Sequence, residues 1–102
     1  MRRIEWSERA ADQLEAAMDW YGERNPDYAD VLTDRILETL TALATRPIGR
    51  PGERDGTFEK RVLRTPYLLI FALDEDELKV LRLFHLSQDR SEWTQGMDEP
   101  QA

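Results

Sequence analysis

Apolar positions along the chain keep two different rhythms, and the change between them divides the sequence. From Ser7 to Leu43 they recur every three or four residues: Ala11, Leu14, Met18 and Tyr21, then Ala29, Leu32, Ile36, Leu40 and Leu43. Each set traces one stripe of a helix. Ser7 stands where an N-cap is wanted, and Asn25 followed by Pro26 offers a second cap and a residue whose φ is already set for a first helical turn. The linker near Gly22 to Asn25 is short, so the two helices fold back antiparallel and each covers the other's stripe. The second helix ends by Pro47.

Downstream the rhythm shortens to two. Phe58 and Val62, then Leu69, Phe71 and Leu73, alternate with polar or smaller residues, as strands do. Pro66 cannot donate a ladder hydrogen bond, so it separates a strand ending near Arg64 from one running Tyr67 to Leu73. Asp74, Glu75, Asp76 and Glu77 are too charged to bury and form the turn into a last strand, Leu78 to Leu86. Upstream of both helices, Arg3, Ile4 and Glu5 alternate as a short strand, with Trp6 near its end. The order is therefore β-α-α-β-β-β. An α+β domain follows, with an N-terminal antiparallel helical hairpin packed on a small, mostly antiparallel β-sheet. Residues 1–93 form the expected domain, and residues 94–102 an expected polar, flexible tail.

Composition narrows the chemistry. One domain fits 102 residues. The absence of cysteine removes disulfides, thiolate catalysis and thiolate-built metal sites. No cofactor and no metal are expected. The opening residues lack the apolar run of a signal peptide or membrane span, which makes the cytoplasm the default compartment and a membrane partner unexpected. With 21 acids against 14 bases the net charge is −7, which opposes bulk attraction to nucleic acid and favours a basic protein partner. That total hides a patch. Residues 47–66 carry five bases and three acids, together with three of the five glycines, and feed a loop into a strand.

Arg50, Arg54, Arg61 and Arg64 in this patch suit carboxylates of a partner or phosphates of RNA, because guanidinium presents paired donors to either anion. Arg82, His85, Arg90 and Trp93, at or just past the last strand, suit the rim of a second recognition surface. Alternation puts His85 opposite to Phe84 and Leu86 and on the side of Leu81 and Leu83. As the only histidine it reads as structural or partner-binding, with a general base as the alternative. The acidic run at 74–77 lacks the glycine and ligand spacing of a calcium loop, and the glycines at 49, 52 and 56 match no phosphate-cradling motif. Ribonuclease chemistry needs a base, an acid and positive charge in one cleft. Arg61 and His85 are the fallback catalytic candidates, with no second histidine and only Lys60 and Lys79 as lysines.

Five segments in order, IEWSERAADQLEAAMDWY, NPDYADVLTDRILETLTALATRPIGRPG, GTFEKRVL, PYLLIFALDEDELKVLRLFH and QDRSEW, resemble ParE toxins of the RelE/ParE superfamily over residues 3 to about 93. The resemblance implies two N-terminal helices on a mostly antiparallel sheet. It also implies the toxin of a type II toxin-antitoxin operon, bound by a cognate ParD-like or other antitoxin that is basic and contacts operator DNA, so that the toxin reaches DNA only within the hetero-oligomer. ParE-like members inhibit DNA gyrase; RelE-like members cut messenger RNA in the ribosomal A site. The RelE-like pattern of cleavage residues is incomplete here. Glu59 stands at a lysine position, Arg61 keeps a basic side chain, Leu68 follows Tyr67 in place of arginine, Gln88 replaces a later arginine and Thr94 falls near a tyrosine position. A gyrase-directed, non-enzymatic inhibitor is therefore the leading reading, with a divergent RelE-like endoribonuclease or a degenerate antitoxin-binding protein as alternatives. The expected recognition residues are Arg50, Arg61, Arg64, Arg82, His85, Arg90 and Trp93.

Overall fold

A computed structural model describes residues 1–95. Strand β1 (Arg3–Trp6) leads into helices α1 (Glu8–Arg24) and α2 (Pro26–Thr45), then strands β2 (Arg50–Pro51), β3 (Phe58–Arg61), β4 (Tyr67–Leu73) and β5 (Glu77–His85), and a short helix α3 (Ser91–Gln95). The five strands lie in the order β1-β5-β4-β3-β2, with β1 parallel to β5 and every other pair antiparallel. The α+β architecture with a helical pair on a mostly antiparallel sheet matches the sequence reading. Two elements extend it, the two-residue β2 and helix α3. The latter carries regular structure to Gln95, and the rest of the expected 94–102 tail, residues 96–102, lies outside the described residues.

Asn25 alone joins the two long helices. Its backbone N–H donates to the Tyr21 carbonyl at 2.6 Å, closing α1, while its side-chain oxygen accepts from the Tyr28 N–H at 3.2 Å, opening α2. The expected four-residue linker shrinks because Gly22 stays helical on an exposed turn, where its propensity penalty is only about 1 kcal/mol. Ser7 caps α1 by accepting from the Ala10 N–H at 3.0 Å, and its hydroxyl donates to the Leu81 carbonyl at 3.0 Å, tying the helix start to β5.

The α2 stripe is buried as its spacing requires, with Leu32 and Leu40 fully enclosed. On α1 the buried small residue is Ala10 and not Ala11, which is exposed. Both alanines fit a three-or-four spacing with Leu14, and only the docking angle of α1 on the sheet separates them. The main core joins these stripes to Val62, Tyr67, Leu69, Phe71, Leu78, Val80 and Leu83.

β4 is buried on both faces. Leu68 and Ile70 point away from the helices into a second cluster with Phe84 and Trp93. A bulge opposite Ile70 and Phe71 pairs them with Arg82 and Val80, leaving Leu81 over. Parity along β5 therefore flips, with Leu78 and Val80 facing the helices before the bulge and Leu83 after it. The expected grouping of Leu81 with Leu83 and His85 fails at this point, since Leu81 packs against the second cluster.

Turn chemistry sets the strand ends. β3 stops at Arg61, three residues short of the expected end, because the Thr65 hydroxyl donates to the Val62 carbonyl at 2.9 Å and accepts from the Tyr67 N–H at 3.1 Å. Arg64 adopts φ 61° in this turn, and its carbonyl accepts from Arg35 Nη1 at 2.7 Å. Asp74 closes the β4–β5 hairpin with one carboxylate oxygen accepting from the Asp76 and Glu77 N–H groups at 2.9 and 2.7 Å.

Candidate functional site

The face of the sheet turned away from the helices divides into a closed part and an open part. In the closed part Trp93 is 2% exposed and lies between two guanidinium groups, Arg54 at 3.6 Å and Arg82 at 4.9 Å from the ring centroid. Arg54 Nε also donates to the Trp93 carbonyl at 2.6 Å, Arg82 Nη1 donates to the Leu81 carbonyl at 2.6 Å, and the Thr94 hydroxyl reaches Glu53 at 3.2 Å. Arg82 is itself 2% exposed, a placement that the aromatic face and carbonyl acceptor make tolerable. Arg82 and Trp93, expected at a recognition rim, thus sit inside the packing that fastens α3 to the sheet. Arg54 lies 39 residues from Trp93, so no local pattern announces the pair.

The open part lies beside β3. Arg50 Nε pairs with Glu59 Oε1 at 3.2 Å, the arginine mostly exposed and the glutamate side chain 8% exposed. Arg61, two residues on, is exposed, and its Nε donates to the Thr65 carbonyl at 3.3 Å. Together with Ile48, Leu68 and Leu86 they line a cavity of about 560 Å³. Gly49 passes so close that an added Cβ would lie 3.0 Å from both the Glu59 carbonyl oxygen and the Phe71 ring, which explains a glycine here. A second cavity, of about 400 Å³, shares Ile48, Lys60 and Arg61 but opens toward α2 at Glu38, Ala42 and Arg46. The sequence reading selected Arg50 and Arg61 but passed over the exposed Ile48 and Leu63 beside them. Apolar residues among bases at 46–48 and 60–63 are the signal that was available.

The remaining candidates scatter. Arg64 is exposed on the β3–β4 turn. Arg90 lies by a separate hollow of about 350 Å³ between the start of α1 and α3, with Asp89 and Glu92 close to it. Its neighbour Asp89 has a carboxyl held below its ordinary value by hydrogen bonds from Ser91. His85 faces the helices, edge-on to Tyr67 at 5.2 Å, in a cavity of about 460 Å³ that Trp20 and Tyr21 also line. Its Nδ1 accepts from the Ser87 N–H at 3.1 Å and lies 2.7 Å from the Ser87 hydroxyl, which places the proton of the neutral ring on Nε2. Burial and a hydrogen bond with Tyr21 push the Tyr67 phenol well above its ordinary pKa, so it is no acid at neutral pH.

Register then decides what these groups do together. Arg61 pairs with Leu68 and Leu68 with Phe84, on the outer face, whereas His85 pairs with Tyr67 on the helix face. The fallback catalytic pair is divided by the sheet. Arg61 shares its cavity with Arg50 and Lys60, but the two positions beside it on the outer face are Glu59, ion-paired to Arg50, and the buried Leu68, neither of which stabilises a phosphorane. No group of three histidine, aspartate or glutamate side chains is placed to hold a metal among the described residues.

Residues 4–90 match the family model described as the ParE toxin of type II toxin-antitoxin system, parDE. The chain belongs to this family. Among solved structures it is similar to the chromosomal ParDE toxin-antitoxin system of P. aeruginosa, with 27% identity and a TM-score of 0.74 over 83% of this chain and 96% of that one. Fold alone is shared with YafQ of E. coli strain BL21(DE3), at 18% identity, a TM-score of 0.58, and 83% and 93% coverage. The same holds for the YoeB dimer of Staphylococcus aureus, at 16% identity, a TM-score of 0.53, and 79% and 92% coverage. No curated protein matches at the same significance. As a ParE-family member the chain is the toxin component of a type II toxin-antitoxin system, whose partner is a cognate antitoxin. No helix among the described residues is long and apolar enough to cross a membrane.

Proposed function

We propose that this ParE-family toxin arrests growth by binding and inhibiting DNA gyrase in the cytoplasm, and that a basic, DNA-binding, ParD-like antitoxin neutralises it by direct contact. Operator DNA is then reached only through the antitoxin. The observation that carries the non-nuclease half of this reading is the outer-face site. Where RNA cleavage calls for converging cations, Glu59 is spent on Arg50 and Leu68 is buried under Phe84 and Trp93. The gyrase half rests on kinship to the parDE family over residues 4–90. Arg50, Arg61 and Arg64 remain accessible for recognition, and His85 contributes through its own cavity.

Controlled expression of the chain alone, and together with the product of the adjacent reading frame, tests the pairing. Growth arrest relieved by the neighbour is the expected result. Purified protein should block supercoiling by gyrase, and messenger RNA end mapping should show no A-site cuts. Arrest accompanied by A-site cleavage and intact supercoiling would overturn the target.

A further inference from the structure

Helix α1 carries five acids, yet no carboxylate is among the described residues that line the cavity of about 460 Å³ where it crosses β5. Strand β1 pairs with β5 only as far as Val80, so no strand lies on that edge of β5 from Leu81 to His85. Side chains serve the edge instead. Gln13 Oε1 accepts from the Leu83 N–H at 2.8 Å, and Gln88 Oε1 accepts from the His85 N–H at 2.7 Å. Only an amide oxygen can accept these bonds, which fixes how both amides are turned and leaves each with its NH2 to offer. His85 is committed in the same way, its Nδ1 taken up by the Ser87 N–H at 3.1 Å and the Ser87 hydroxyl at 2.7 Å, so that Nε2–H is its remaining donor. Among the described residues no protein acceptor meets any of these three donor groups. They share the cavity with the rings of Trp20, Tyr21 and Tyr67. Trp20 is 53% exposed, with the Arg24 guanidinium 4.2 Å from its ring centroid and Tyr21 edge-on at 4.9 Å.

We infer that this cavity is a binding site for a small, flat, uncharged heteroaromatic molecule that carries a ring carbonyl oxygen. The site goes beyond the toxin reading and requires neither gyrase nor antitoxin. Donor groups whose own acceptors are already spent on the backbone ask the ligand for lone pairs, and three aromatic side chains ask it for a π-face. Charge then selects among ligands of that shape. An anion suits the donors but is repelled by Asp12, Glu15 and Asp19, the exposed acids of the same helix. A cation suits the rings and those acids but brings no lone pair to Gln13, Gln88 or His85. A neutral carbonyl compound meets the donors without the repulsion. The volume lies within the range of about 300–1,000 Å³ usual for small-molecule sites, and the small side chains of Ala16 and Ala17 keep it open.

Three probes of one bicyclic shape separate these cases when titrated into the full chain: the neutral 1-methyl-2-quinolone, the anion quinoline-2-carboxylate and the cation 1-methylquinolinium. Proton–nitrogen NMR follows the side-chain NH2 signals of Gln13 and Gln88 and the indole N–H of Trp20. The quinolone should shift all three and bind at least about tenfold more tightly than either charged probe, the worth of roughly one satisfied hydrogen bond. The double variant Gln13→Glu/Gln88→Glu keeps the oxygens that serve the Leu83 and His85 N–H groups and removes only the NH2 donors. It should lose at least about tenfold in quinolone affinity at an unchanged melting temperature, an outcome that a purely structural role for the two amides does not produce. Should that variant fail to fold, Trp20→Ala removes an exposed ring and Ala16→Trp fills the cavity, and each should weaken binding by a similar factor. Equal or tighter binding of the cation would make the site an aromatic cage and overturn the inference. Equal or tighter binding of the anion would overturn it as well, as would no binding of any probe, shifts confined to other residues, or undiminished affinity in the variants.

Discussion

Trp93 carries more of the fold than its place near the end of the chain suggests. Its ring fills the outer-face cluster with Leu68, Ile70 and Phe84 and is held between Arg54 and Arg82. Trp93→Ala should destabilise the protein by about 3–5 kcal/mol, the range for removing a large buried aromatic, and a urea titration measures it. Phe71→Ala should fall in the same range of about 3–5 kcal/mol, since Phe71 is fully enclosed on the opposite face. Leu68 makes a sharper test. Restoring a guanidinium there with Leu68→Arg puts a charge at a 3% exposed position, and should lower stability by at least about 2 kcal/mol without producing messenger RNA cleavage. Cleavage by that variant would show that one missing charge, and not the whole arrangement of the face, separates this chain from a nuclease.

At the scale of elements, the two helices depend on one residue and the sheet on its turns. Asn25 ends α1 and begins α2, so Asn25→Ala should cost about 1 kcal/mol or more, seen as a shift of the denaturation midpoint at unchanged slope. Tyr67 joins β4 to α1 through its hydrogen bond with Tyr21, and burial raises its pKa above the ordinary value of 10.0. The folded state therefore keeps the phenolic proton longer than the unfolded chain does. The stability this represents is complete below about pH 10 and drains away as pH rises above it. Tyr67→Phe should accordingly lose less melting temperature between pH 9 and pH 11 than wild type. A parallel loss would assign the alkaline sensitivity to another phenol, of which Tyr28, also raised by burial, is the nearest candidate.

For the molecule as a whole, charge is distributed by element and not spread evenly. The outer stripes of α1 and α2 hold exposed Glu8, Asp12, Glu15, Asp19 and Glu23, and Asp27, Asp30, Asp34 and Glu38, whereas the β3 edge is basic. A net charge of −7 therefore describes the helical layer and misdescribes the groove. Binding to the native state alone also stabilises it. A neutralising antitoxin at 100 times its Kd should raise unfolding free energy by about 2.7 kcal/mol, read as a higher melting temperature for the complex than for the toxin alone.

Periodicity was enough to determine the two helical stripes and the α+β class, because local spacing and burial on one face agree wherever an element has one dry side, and with Pro66 and the acidic run at 74–77 as punctuation it bounded β4 to the residue. The resemblance to the RelE/ParE superfamily, and not periodicity, marked Glu59 and Leu68 as breaks in the RelE-like cleavage pattern, since residue type alone decides whether charge is present. Only tertiary structure decided the rest. Alternation cannot reveal that β4 is dry on both faces, because the covering Trp93 belongs to a five-residue helix fastened by Arg54 from a distant loop. Nor can it reveal a bulge that reverses side-chain parity in β5 and so separates Leu81 from His85. That Arg50 and Pro51 form a strand, paired with Glu59 and Phe58 alone, is likewise a fact of pairing across the chain and not of any pattern along it.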